Sequence, residues 1–198
     1  PTDRVMAMQQ LMQRWNIEYQ PERDGDACDF AQHNQLHCET ESGDWWQLEM
    51  IDRPVVMQLI STSGQPIYGV LLAINDQKVL MNFAGQEMLF NKNQIAAYWG
   101  GEYYLLWQTP PNYQQPLSIS MRGMAVQWLL TSLAKLENLD LIVPPNAVYD
   151  KQLQTRIKQF QERHSLTADG VAGPHTLITL NSLTNANIPR LSNPMGAN

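Results

Sequence analysis

The chain has 198 residues, of which 13 are basic and 19 acidic, for a net charge of −6; 16% are charged and 43% hydrophobic. That apolar content excludes a disordered chain, and the lack of a basic excess excludes a dedicated nucleic-acid binder. Polarity comes instead from 20 Gln and 14 Asn. No apolar run approaches the ~18 residues that span a bilayer, and no signal peptide precedes the first helical pattern, so any membrane anchor is expected outside this chain.

In chain order, Val5, Met8, Leu11, Met12 and Trp15 recur at spacings of three and four and predict a first helix. A second is expected from about Asp26 to Leu36, and Asp44 stands where it can cap a short third. The period then changes. Pro54–Ile60 reads as a strand, and Ile67–Ile74 with Val79–Phe83 as a hairpin across Asn75-Asp76-Gln77-Lys78. Gly85 turns the chain ahead of Met88-Leu89-Phe90, and Tyr103–Trp107 is the closing strand. Helices first and an antiparallel sheet after them make an α+β layout.

Residues 1–109 hold 6 basic and 14 acidic side chains, a net of −8, and residues 110–198 hold 7 and 5, a net of +2. The sign changes beside Thr109-Pro110-Pro111-Asn112-Tyr113-Gln114-Gln115-Pro116, where proline without glycine predicts a stiff, extended linker. The expected division is a domain over 1–108, a linker over 109–116, a second domain over 117–184 and a tail over 185–198.

In the second domain Val126, Leu129, Leu130, Leu133 and Leu136 mark a helix entered through Met121-Arg122-Gly123. Leu153, Ile157 and Phe160 mark another, capped by Asp150. Asp169-Gly170-Val171-Ala172-Gly173-Pro174-His175-Thr176 reads as a tight turn into a third helix. Gly170 permits a positive φ, Gly173 sits at the cap and Pro174 at the first helical position. Leu177, Leu180 and Leu183 then complete a three-helix core.

Cys28 and Cys38 lie ten residues apart. Spacing alone leaves open two free thiols, a bridge from a helix to the following loop, or a nucleophile at Cys28, which needs an imidazole beside it. Cys28-Asp29-Phe30-Ala31, the helix after it, the Ile67–Phe83 hairpin and the Tyr103–Trp107 strand resemble the papain-like cysteine peptidases that cleave leader peptides in bacteriocin-exporting ABC transporters. The resemblance implies that fold, with Cys28 at the nucleophile and Glu22 where the family has its oxyanion glutamine. Tyr68 falls at the histidine position and Asn82 at the Asp-Pro position. A carboxylate repels an oxyanion, and neither a phenol nor an amide takes a thiol proton near neutral pH. The expectation is a degenerate peptidase fold without peptidase chemistry, hence no enzyme.

Phe160-Gln161-Glu162-Arg163-His164-Ser165-Leu166, followed by the Asp169–Thr176 turn, resembles the bacterial peptidoglycan-binding domain of the three-helix type over about Ser118–Leu183, with Ser165 where that family usually has glycine. The resemblance implies a shallow wall-binding cleft at Asp169, Gly170 and Thr176. Arg122, Arg156 and Arg163 would meet stem-peptide carboxylates, and Tyr149 and Gln159 would line the same cleft.

The order of the two domains, with Leu11–Tyr19 and Asp52-Arg53-Pro54-Val55-Val56, is similar to the periplasmic region of the general secretion pathway protein A family. That resemblance implies a cytoplasmic ATPase and a membrane helix ahead of this region and a periplasmic setting in a Gram-negative bacterium. It also implies joint work with general secretion pathway protein B in placing the type II secretin through the wall. An oxidising periplasm further implies a Cys28–Cys38 disulfide. The function so implied is a non-catalytic wall anchor, with self-association left open. Its rivals are an active thiol hydrolase of peptide crosslinks through Cys28 and an oligomerising structural protein that binds no wall.

Other residues take plainer roles. His33, His37, Cys38 and Glu41 read as a solvated helix face rather than a zinc site. Trp45-Trp46 reads as a helix start with one ring buried, and His164 and His175 as turn and capping residues. No cofactor and no metal are expected.

Overall fold

The structure is a computed structural model that describes residues 3–192. It divides into two compact units: one runs through Trp107 and takes back the chain from Ile188, and the other is Gln108–Asn187. The proline-rich segment thus falls within the second unit, and part of the stretch read as a tail belongs with the first.

Asp3 caps α1 (Arg4–Arg14) by accepting from the Met6 N–H at 2.8 Å, and the helix buries Ala7, Met8, Leu11 and Met12. Short α2 (Pro21–Asp24) and α3 (Ala27–His33) precede β1 (Leu36–Ser42) and α4 (Trp45–Ile51). Asp44 caps α4 in a reciprocal box with Gln47. β2 (Val55–Ile60), β3 (Pro66–Ile74), β4 (Lys78–Phe83), β5 (Gln86–Asn91), α5 (Lys92–Ala96) and β6 (Trp99–Gln108) complete the unit. The helix expected to run to Leu36 stops at His33, because Gln35 turns into the left-handed region at φ 61 and the chain re-emerges extended. His37, Cys38 and Glu41 therefore lie on a strand and not on a helix face.

The sheet order is β1-β6-β2-β3-β4-β5. β2 pairs antiparallel with both β3 and β6, so that Val55 lies opposite Leu71 on one side and Leu105 on the other. One face packs Val56, Val70, Leu72 and Leu106 against α1 and against Ala31 of α3. The other buries Val55, Met57, Leu71, Met81, Leu105 and Trp107.

The returning segment is fastened at Asp52. That residue, at φ 51, accepts from the Ser192 N–H at 2.8 Å and the Ser192 hydroxyl at 2.9 Å. Leu191 is fully buried, and its carbonyl accepts from the Ile74 N–H at 3.2 Å. Arg53, next in sequence, is buried as well and donates to the Asp52 carbonyl at 3.0 Å; burial brings its guanidinium down to about 10.

On the edge strand β1, His37, Glu39 and Glu41 alternate onto one side. His37 Nε2 lies 3.1 Å from Glu39 Oε1, and the Tyr103 hydroxyl donates to Glu41 Oε2 at 2.7 Å. Burial, reinforced by a hydrogen bond and like charge from Glu41, pushes the Glu39 carboxyl up to about 7. Burial also holds His37 below its ordinary value.

The second unit is built on α6 (Met124–Leu136), α7 (Lys151–Arg163) and α8 (Pro174–Thr184). Leu129, Leu133, Leu153, Ile157, Phe160, Leu177 and Leu180 are buried, whereas Leu183, expected in the core, is 46% exposed. Past the end of α7, the Leu166 N–H reaches back to the Gln161 carbonyl at 2.9 Å and the Ser165 N–H to that of Glu162 at 3.4 Å, with Ser165 at φ 56. This is a Schellman ending, which favours glycine where Ser165 stands.

Ser165→Gly is accordingly expected to stabilise the second unit by about 0.5–1 kcal/mol, since a Cβ in the left-handed region costs roughly 1 kcal/mol and chain entropy returns part of it. Denaturant unfolding reads this, and a destabilised variant contradicts it. For Glu39, a folded value above the ordinary one means that stability falls as pH rises from about 4.5 to about 7 and stays level above. Glu39→Gln removes that fall and should be about 1–2 kcal/mol more stable than the parent near pH 8 and little changed near pH 4. His37 acts oppositely, costing stability as pH falls below about 6.5, and between the two extremes its contact with Glu39 couples the pair, so the comparison is read near pH 4 and near pH 8.

Candidate functional site

Two places bear on function, one in each unit. In the first, Asp26 accepts from the backbone of Cys28 at 2.9 Å and of Asp29 at 3.2 Å, which starts α3 and sets Cys28 in its first turn. Cys28 is bonded to Cys38 on β1, with a Cα–Cα distance of 5.3 Å, inside the usual range for a bridge. Cys28 lines a cleft of about 340 Å³ whose walls include Arg4, Tyr19, Asp26, Thr40 and Tyr104. The Arg4 guanidinium lies 5.7 Å over the Tyr104 ring, and Tyr104 in turn packs against Tyr68 at 6.3 Å.

The other positions matched to the peptidase family lie on three separate elements. Tyr68 is half-buried on β3, and burial raises its phenol above the ordinary value. Asn82 accepts from the Gly85 N–H at 2.9 Å and closes the β4–β5 turn. Glu22 is exposed on α2. His33, read beside His37 as a possible ligand, turns its Nδ1 to the Asp29 carbonyl at 2.7 Å. Among the described residues no group of three or more His, Cys, Asp and Glu is placed to hold a metal ion.

In the second unit the Asp169–Thr176 turn is organised by a residue that the sequence motif contained but whose role it did not disclose. Gln161, 1% exposed, accepts from the Gly170 N–H at 2.9 Å through Oε1. Its Nε2 lies 2.9 Å from the Val171 carbonyl, 3.0 Å from Thr176 Oγ1 and 3.1 Å from Asp169 Oδ1. Asp169 Oδ1 also accepts from the Val171 N–H at 2.8 Å. Gly170 has φ +75, and a Cβ there would stand 2.7 Å from Gln154 Cγ and 2.9 Å from Lys158 Cε.

The residues expected to share one cleft separate. Arg156, Gln159 and Arg163, at i, i+3 and i+7, follow one flank of α7, while Gln154, Lys158 and Gln161 follow the opposite flank, where the turn packs. Arg156 is committed to Glu137 at 2.7 Å, and Arg163 donates through Nε to the Gln159 carbonyl at 3.1 Å while remaining exposed. Arg122 is exposed before α6 and bridges to Val148. Tyr149 does not line a surface: it is fully buried, its hydroxyl donates to the Gly170 carbonyl at 2.9 Å, and burial raises its phenol. Thr176 is buried under Gln161, and Asp169 is exposed. His164 is the C-cap of α7, its ring 4.5 Å from that of Phe160.

Comparison with known proteins agrees with this two-part construction. A family model described as "GspA, peptidase C39-like domain" matches residues 1–109, and one for a peptidoglycan binding domain matches residues 122–180. General secretion pathway protein A of Aeromonas hydrophila is 28% identical over 187 residues, which is 93% of this chain and 33% of that protein. The chain thus spans about a third of the length of the curated relatives it matches. The crystal structure of a periplasmic domain of the EpsAB fusion protein of the Vibrio vulnificus type II secretion system is similar, with a TM-score of 0.63 and 25% identity, covering 96% of this chain and 81% of that one. With the first family model spanning more than half of its length, the chain belongs to the GspA family that carries a peptidase C39-like domain.

Proposed function

We propose that this chain is a non-catalytic, periplasmic wall-binding region of a type II secretion assembly factor. It holds peptidoglycan through the second unit and works with general secretion pathway protein B in secretin assembly. The observation that carries the reading is the turn at Asp169–Thr176, held in a left-handed conformation open to glycine by a buried amide, within a segment matching a peptidoglycan-binding family. The relatives named above, a general secretion pathway protein A and a periplasmic domain of a type II secretion system, support the setting. No helix among the described residues is long and apolar enough to cross a membrane.

The packing of the turn supports wall contact on the Lys158 flank of α7 rather than at the arginines. The turn packs on the Lys158 flank of α7, so Lys158 is the cation nearest to it, and Arg163 lies across the helix. A lysine ammonium beside the turn pairs with stem-peptide carboxylates, an attraction that salt screens as the Debye length shrinks from ~30 Å at 0.01 M to ~8 Å at 0.15 M. Cys28 has no thiol to offer while bridged, and Tyr68 and Asn82 supply no base beside it near neutral pH.

Full-length chain is expected to co-sediment with purified sacculi, with retention weakened but not abolished at physiological salt. Lys158→Ala should lower retention several-fold, roughly the effect of losing one charge-assisted contact, without shifting the unfolding midpoint. Arg163→Ala should change retention less; the reverse ranking would move the cleft to the Arg156–Arg163 flank. Muropeptides should show no turnover with or without reductant. A hydrolysis rate that vanishes in Cys28→Ala would overturn the non-catalytic reading.

A further inference from the structure

Gln161 is nearly inaccessible to water, yet packing alone asks only for an apolar side chain of similar size at its site. Its amide instead gathers three segments: the end of α7, the turn through Gly170 and Val171, and the first turn of α8 at Thr176. The result at Asp169 is an asymmetry. Oδ1 accepts from both Gln161 and the Val171 N–H, whereas Oδ2 accepts no hydrogen bond among the described residues, on a side chain that is exposed. A loop aspartate ordinarily samples several rotamers, but one whose first oxygen is held by two donors offers its second in a fixed direction.

We propose that Gln161 is the positioning residue of the wall-binding turn, and that the oxygen it leaves outward, Asp169 Oδ2, accepts an N–H or ammonium donor of the peptidoglycan stem peptide. This rests on the turn being the wall-contacting flank. Gln161 touches no ligand and acts through Asp169. With Lys158 beside Gly170, the turn then presents a carboxylate and an ammonium together, which suits a peptide that carries both charges.

The test uses full-length chain and purified sacculi, with Gln161→Glu compared to the parent at each pH. The carboxyl so introduced, while protonated, still accepts from Gly170 and donates one hydrogen bond. Once ionised, it sets a charge against Asp169 Oδ1 and the Val171 carbonyl. Relative retention should be within about twofold of the parent at pH 5 and at least about tenfold lower at pH 8, the loss expected when a charge-assisted contact is misplaced. Lys158 and His175 are the same in both proteins, so their contributions divide out of the ratio, and the charge set against Asp169 is what it reads. A packing role alone leaves that ratio flat.

Asp169→Asn covers the case in which Gln161→Glu unfolds at pH 8. At this exposed position it should cut retention about fivefold or more with an unchanged unfolding midpoint. A flat ratio for Gln161→Glu, or an Asp169→Asn variant retained as well as the parent, overturns the proposal. A parent chain that sacculi do not retain, or one that depends on Arg163 and not on Lys158, overturns the assignment of the flank instead.

Discussion

The backbone of β2 is hydrogen-bonded to a strand on each side, and its side chains Val55, Val56 and Met57 are shut off from water on both faces. Everything else in the first unit follows from keeping that strand dry. Both faces of the sheet need covers, and α1 and α3 supply one of them with Ala7, Met8, Leu11, Met12 and Ala31. The sheet also has two edges, and the edge strand β1 is joined covalently to α3 through Cys28 and Cys38. On the chain-entropy account, which is disputed, closing a loop of this size contributes about 2–3 kcal/mol. The Cys28 sulfur is thus used to hold an edge strand.

Much of this order was legible before the structure. The spacing of Met8, Leu11 and Met12, the cap at Asp44, the β3–β4 hairpin and the turn chemistry of Gly170 and Pro174 are local signals, and each states its conformation within a few residues. β1 was not legible, because Leu36–Ser42 carries His37, Glu39 and Glu41 where an ordinary half-buried strand would carry apolar residues. Its extended state is set by β6, by the disulfide and by the Tyr103–Glu41 hydrogen bond, none of which is local. The return of Leu191 to the first unit was hidden for a similar reason: nothing near Leu191 announces Asp52.

The candidate site divides in the same way. Asp169, Gly170 and Thr176 were readable as one motif and are in contact through Gln161. The arginines were chosen for their chemistry alone; helix geometry then assigned Arg156 and Arg163 to the far flank of α7, with Arg156 taken by Glu137. Tyr149 illustrates the limit of residue type as a guide, since a tyrosine beside a glycine turn serves equally as a surface ligand or as an internal strut. Burial decides for the strut.

The fastening of Ser192 on Asp52 closes a contact across 140 residues of chain. Loop closure over such a span is entropically slow, whereas the packing of α6 on α8 in the second unit spans a much shorter stretch of chain. During synthesis the second unit has all of its residues before the first has its last ones. Leu191 therefore joins the core of the first unit only after chain growth has passed the whole of its neighbour.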